Sequence, residues 1–267
     1  MLIKELVTKY MNNGYNYRNA QNLAAEEIIL TKIASSSLSE NITLKGGIVM
    51  FNLTKSDRRV TQDIDFDFIR YSISDDSIKL FVRKLNSVED SISATIVGNI
   101  EKLHQEDYQG VRVYLLLEDS SKTNLNIKLD IGVHTYTAIE QEKILFTFLA
   151  DNDAVSIKVN PCEQVFVEKL ISMARLGPIS ARYKDIYDMY YLIHNSLLDL
   201  NKTKSILNLL LSSTKRQPNN ILDLTNSVID TLNNKNYSKE AGKMASKWLD
   251  VKYEEVKSAI INFINKL

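Results

Sequence analysis

The stretch that most limits how this chain can fold runs from Thr61 to Ile69 and contains Asp63-Ile64-Asp65-Phe66. Polar and apolar residues alternate there, which is the period of a half-buried strand. A strand rising about 3.3 Å per residue sends Asp63 and Asp65 to one face, about 6.6 Å apart, while Ile64 and Phe66 point into a core. Two carboxylates side by side repel, and a cation between them offsets that cost. Hard oxygen ligands of this kind suit Mg²⁺ or Mn²⁺, and Mg²⁺ usually takes one or two carboxylates together with substrate phosphates. The plain alternative is a pair of solvated acids on an edge strand.

The surroundings of the pair weigh against that alternative. Upstream, Leu44-Lys45-Gly46-Gly47 ends a short strand and opens a helix expected over Ile48–Leu53. Glycines let a backbone approach a phosphate closely, and a helix N-terminus offers free N–H groups. Gly46 and Gly47 are therefore candidate nucleotide-binding residues, although Gly-Gly also serves as an ordinary turn. Arg59 is a third candidate, as a phosphate or strand-end contact, against the alternative of a surface arginine. Lys45 reads as a solvated neighbour. A second alternating run, Asn126-Ile127-Lys128-Leu129-Asp130-Ile131, puts Lys128 and Asp130 on one face. Asp130 is a possible third metal ligand, since two-metal phosphoryl transfer needs a further carboxylate. It is equally readable as a strand residue turned to solvent.

Composition narrows the setting. The chain has 267 residues and 33 basic against 33 acidic side chains, so there is no bulk attraction to nucleic acid or membrane. From Asn201 onward 11 Lys and Arg stand against 6 Asp and Glu, which allows a basic surface in that part. Cys162 is alone, and His104, His134 and His194 lack metal-ligand spacing, which excludes a disulfide framework and a Cys-based zinc site. No apolar run approaches the roughly 18 residues of a membrane span, and the N-terminus lacks the apolar segment of a signal peptide. The expectation is a reducing, cytoplasmic setting with no membrane partner.

Periodicity predicts helices over 2–11, 17–35 and 74–90 and strands over 93–100, 111–117, 125–133, 143–149 and 155–159. Beyond Pro161 the pattern is helical throughout, over 161–176, 183–197, 202–213, 220–233, 237–249 and 252–266. The expected domains are therefore an α/β part, 1–159, and an all-α part, 160–267. Within the latter, Glu168 and Lys169 fall beside apolar helix positions, and Asp185 and Asp188 share a helical face at i and i+3. An ion pair between Lys169 and Asp185 is the structural reading of these residues. Lys239, Lys243 and Lys247 form a stripe at a spacing of four, read as a solvated face with an RNA track as the alternative.

Taken together, Leu44-Lys45-Gly46-Gly47, Arg59-x-Thr61-x-Asp63-Ile64-Asp65, Lys128-Leu129-Asp130, Glu168-Lys169-Leu170 and Arg182-x-Lys184-Asp185-x-x-Asp188 resemble the AbiEii/AbiGii abortive-infection toxins. That family is a branch of the polymerase-β-like nucleotidyltransferases. The resemblance covers residues 44 to 188. It implies an α+β fold, with a polymerase-β-like mixed sheet and flanking helices followed by an all-α C-terminal domain. It also implies Mg²⁺ (or Mn²⁺), a nucleoside triphosphate substrate and a cognate antitoxin. Some members add nucleotides to the tRNA acceptor end, which blocks translation. By position, Asp63 and Asp65 correspond to paired metal ligands. Lys169 and Asp185 correspond to a further lysine and aspartate needed for activity, which the helical domain would contribute to the site. Gly47 stands where many nucleotidyltransferases carry serine after glycine, so a hydroxyl on the phosphates is missing.

The expected function is a toxin that transfers a nucleoside monophosphate to RNA. In that mechanism Asp130 either completes the metal site or serves as base, and Lys169 neutralises charge on the phosphates. One rival is an enzyme of the same fold that modifies a small molecule or a protein hydroxyl. The other is a non-catalytic binding partner.

Overall fold

The computed structural model describes residues 2–105, 108–148, 154–213 and 218–267. The chain divides into two compact units, residues 1–160 and 161–267. The first is built on one mixed sheet of seven strands: β1 (Ile42–Lys45), β2 (Asp63–Phe68), β3 (Ile92–Gln105), β4 (Tyr108–Asp119), β5 (Asn124–Val133), β6 (Glu142–Thr147) and β7 (Ala154–Val159). Their order is β3-β4-β5-β2-β1-β7-β6. β2 lies at the centre, antiparallel to β1 and parallel to β5. Leu149, the last residue of the strand expected over 143–149, lies outside the described residues.

Alternation gives the sheet two unlike faces. Ile42 and Leu44 of β1 stand opposite Phe68 and Phe66 of β2, and Leu129 and Ile131 of β5 stand opposite Ile64 and Phe66. All of these side chains are buried. Helices α1 (Ile3–Asn12), α2 (Tyr17–Ala34) and α4 (Asp75–Leu85) join them in one core. The ring of Phe81 on α4 lies 5.5 Å from that of Phe66 and 5.7 Å from that of Phe68. α4 begins where Ser74 accepts from the Ser77 N–H, with Asp75 and Asp76 complementing the helix dipole. Inside this packing Lys32 is fully buried and reaches Asp90 at 2.6 Å. Between β1 and β2 lie α3 (Gly47–Thr54) and a 3-10 turn over Asp57–Arg59.

The second unit is helical: α5 (Cys162–Leu176), a 3-10 turn at Gly177–Ile179, α6 (Lys184–His194), α7 (Leu200–Ser213), α8 (Ile221–Asn233), α9 (Lys235–Trp248) and α10 (Tyr253–Ile264). α5 packs on α7 and α8, and α6 packs on α10. Leu170, Ile186, Leu207, Val228 and Ile260 fill its interior, and the Tyr187 hydroxyl donates to the Ala241 carbonyl at 2.9 Å. No helix of the described residues is long and apolar enough to cross a membrane.

Candidate active site

The polar face of the central strands carries the candidate residues. Asp63 and Asp65 project from β2, and Asp130 stands directly opposite Asp65 on β5. One oxygen from each of the three carboxylates lies within 4.8 Å of the others, and all three residues are partly exposed. Asp130 is thus beside the pair and not turned away from it. Octahedral Mg²⁺ with bonds of about 2.0–2.1 Å spans at most about 4.2 Å between opposite ligands. The 4.8 Å within which the three oxygens lie exceeds that span by at most about 0.6 Å, which a small side-chain rotation closes.

The glycine turn is fitted to this cluster. Gly46 has φ +69° and ψ −140°, a conformation that side chains other than glycine rarely adopt. A Cβ there would lie 2.3 Å from Asp65 Oδ2, so the Asp65 carboxylate rests against the bare Gly46 backbone. Gly47 opens α3, and a Cβ on it would lie 3.1 Å from the Thr61 side chain. The first N–H groups of α3 have no partner within the helix and form an anion-attracting end beside Asp65.

Cations and a hydroxyl hold the acids. Lys128 stands across from Asp63 and meets its Oδ2 at 2.7 Å. The Thr61 hydroxyl donates to Asp63 Oδ1 at 2.8 Å. Arg112 of β4 stands across from Asp130 and donates to both its oxygens, at 2.8 and 2.7 Å. That paired hydrogen bond raises the Arg112 guanidinium well above its ordinary value, against the opposing effect of burial. Lys45, expected to be solvated, is mostly buried and pairs with Asp67 at 2.6 Å. Burial pushes the His134 imidazole down, and Asp67 partly offsets it.

Arg59 is only 6% exposed, so it belongs to the interior of the turn that leads into β2. Glu26 of α2 is also buried. Burial raises its carboxyl well above the usual range, and the charge on Asp63 adds to the effect.

Lys169 and Asp185 belong to the second unit, where they pair with each other at 2.5 Å. Lys169 also meets Asp188 at 3.0 Å, and Arg182 donates to Asp185 at 2.8 Å. Burial alone would lower the Lys169 ammonium, but Asp188 and Asp185 outweigh it and hold the pKa above the ordinary lysine value. Burial likewise acts to raise Asp185, and Lys169 with Arg182 holds it below the usual range. On α9, Lys235, Lys239, Lys243 and Lys247 are all exposed at a spacing of four.

Several of these partners were not singled out by the sequence. Asp67 continues the alternation of Asp63 and Asp65, so strand period alone sets it on their face. Arg112 carried none, because its pairing depends on the β4–β5 register.

Clustered carboxylates beside a glycine turn and a helix N-terminus make a centre suited to metal-assisted phosphoryl transfer. Residues 28–257 match the family described as nucleotidyl transferase AbiEii toxin, type IV toxin–antitoxin system, and the chain belongs to that family of nucleotidyltransferases. Membership implies a nucleotide substrate and an antitoxin partner. Among solved structures, the chain is similar to an antigenic nucleotidyltransferase-like protein from Paracoccidioides brasiliensis. The identity is 15% and the TM-score 0.39, covering 74% of this chain and 92% of that one. No curated protein sequence matches it.

Proposed function

We propose that this nucleotidyltransferase is the toxin of its pair and transfers a nucleoside monophosphate from a nucleoside triphosphate to RNA, with the tRNA acceptor end as target. The observation that carries the reading is the cluster of Asp63, Asp65 and Asp130 against the Gly46-Gly47 turn. Asp63 and Asp65 would hold Mg²⁺ (or Mn²⁺), with Asp130 as third ligand. The bound ion would supply charge neutralisation and orientation of the triphosphate. The N–H groups of Gly47 and the rest of the first turn of α3 face the outer phosphates. Arg59 acts through the turn it stabilises and so positions Asp63. Both oxygens of Asp130 are engaged by Arg112, which suits a fixed ligand better than a base that must take up a proton.

In the transfer, the acceptor hydroxyl oxygen bonds to the α-phosphorus as the bond from that phosphorus to the bridging oxygen breaks. Pyrophosphate leaves, and the hydroxyl proton passes to water. Most of the rate comes from positioning and charge stabilisation, since no covalent intermediate with the protein is needed. Lys169 belongs to the same activity as a fixed positive charge, held ionised and oriented by Asp185 and Asp188. The exposed lysines of α9, in a region with an excess of basic residues, favour a polyanionic acceptor over a small molecule.

Incubation with each α-labelled triphosphate, Mg²⁺ and total RNA tests this. Label is expected in the tRNA-sized fraction. Label found only on protein or on a small molecule would overturn the acceptor, and no label on any of them would overturn the activity.

A further inference from the structure

We infer that Lys128 and Arg112 keep the carboxylate cluster closed to a divalent cation arriving alone and open it to one arriving with a triphosphate. The inference rests on the reading of Asp63, Asp65 and Asp130 as metal ligands. At least four of the six oxygens of these carboxylates already carry a donor: Thr61 and Lys128 on Asp63, and both arms of Arg112 on Asp130. Each cation is the cross-strand partner of its acid, so the sheet register itself delivers it.

The charge balance follows. Lys128 and Arg112 each offset one of the negative charges that the three carboxylates bring together. A lone divalent ion drawn to the acids must compete with an ammonium that lies 2.7 Å from Asp63. Displacing that ammonium leaves it facing the incoming ion of like sign. A triphosphate changes this, because its oxygens give both displaced side chains a strong acceptor. Lys128 and Arg112 can make the exchange, since their side chains are 28% and 30% exposed. Metal and nucleotide should therefore bind with positive coupling, each raising the affinity of the other by the same factor. A cluster of bare acids would instead load metal first and independently.

The test is direct binding of Mn²⁺, followed by its paramagnetic resonance signal and by calorimetry, to the full chain with and without a non-hydrolysable triphosphate analogue. The parent is compared with Lys128→Met and with Lys122→Met, an exposed lysine outside the cluster, as the control. Expected is weak Mn²⁺ binding to the parent alone and strong binding with the analogue. Lys128→Met should bind Mn²⁺ alone about tenfold more tightly and lose most of the coupling. Lys128→Gln serves if the Met variant fails to fold. If the parent binds Mn²⁺ equally well with and without the analogue, the coupling is wrong while the metal site stands. If the Lys128 variants bind Mn²⁺ alone no more tightly than the parent, Lys128 is not the gate. If no form binds Mn²⁺ under either condition, the metal reading itself falls.

Discussion

Replacing Gly46 by alanine tests the architecture of the site with the smallest possible change. The added Cβ would sit 2.3 Å from Asp65 Oδ2, whereas ordinary contact begins near 3.4 Å, so the carboxylate must retreat by about 1.1 Å. A displacement of about 1 Å at a reacting centre costs about 100-fold in rate, or about 2.7 kcal/mol at 1.36 kcal/mol per decade. The backbone adds its own cost. With φ +69° and ψ −140° the residue lies where only glycine is at ease, a penalty of about 1–3 kcal/mol. At about 2–4 °C per kcal/mol, a midpoint penalty of 2 kcal/mol lowers Tm by about 4–8 °C.

Gly47→Ala is the internal comparison. Gly47 has no positive φ, and its added Cβ would lie 3.1 Å from the Thr61 side chain, which can shift by a few tenths of an ångström. Nucleotide transfer and thermal melts on both variants give the readout. Gly46→Ala should lose about two orders of magnitude in rate, and Gly47→Ala about one or less. A Gly46→Ala protein with parental activity, or one less impaired than Gly47→Ala, would refute the reasoning.

Three further outcomes follow from the same geometry. Glu26 is buried with a raised carboxyl pKa, so the fold holds more protons than the unfolded chain once pH rises above the usual glutamate range, and stability declines there. Glu26→Gln should therefore melt higher than the parent at neutral pH, by about 1–3 kcal/mol in stability. The gap should close near pH 4, and a Tm difference that does not shrink on acidification would contradict this. Lys169→Met leaves Asp185 and Asp188 buried without their shared cation, and it should cost about 3 kcal/mol in a denaturant melt. Asp185, with its pKa held low, contributes stability that is complete above the unfolded aspartate value and lost as pH falls through the lower folded one. Asp185→Asn should thus separate from the parent in melts at pH 6 and converge with it in strong acid.

The alternating run around Asp63 was legible because strand period 2 is local, and it correctly separated Ile64 and Phe66 from the acids. The same local logic exposed Lys128 and Asp130 as face-sharing residues of β5, and the helical pattern after Pro161. What stayed hidden depends on long-range register. Arg112 is one of many basic residues until β4 pairs with β5 and sets it opposite Asp130. Lys45 looked solvated because nothing local reveals Asp67 beside it. Arg59 and Glu26 are charged residues in ordinary positions of the chain, and only the packing of α2 and the turn before β2 shows that both are buried. The fitting of Gly46 to Asp65 is likewise tertiary: a Gly-Gly pair announces a turn, and only the fold says what presses against it.

The most direct measurement is transfer of α-labelled nucleotide to purified tRNA by the parent and by Asp63→Asn and Asp65→Asn, with Mg²⁺ and with excess EDTA. Melts should confirm that the variants remain folded. Expected is label in the parent reaction with Mg²⁺, abolished by EDTA and reduced at least about 1,000-fold in either variant. Undiminished label in folded Asp63→Asn and Asp65→Asn proteins, or label indifferent to EDTA, would contradict a metal-dependent transfer at this cluster.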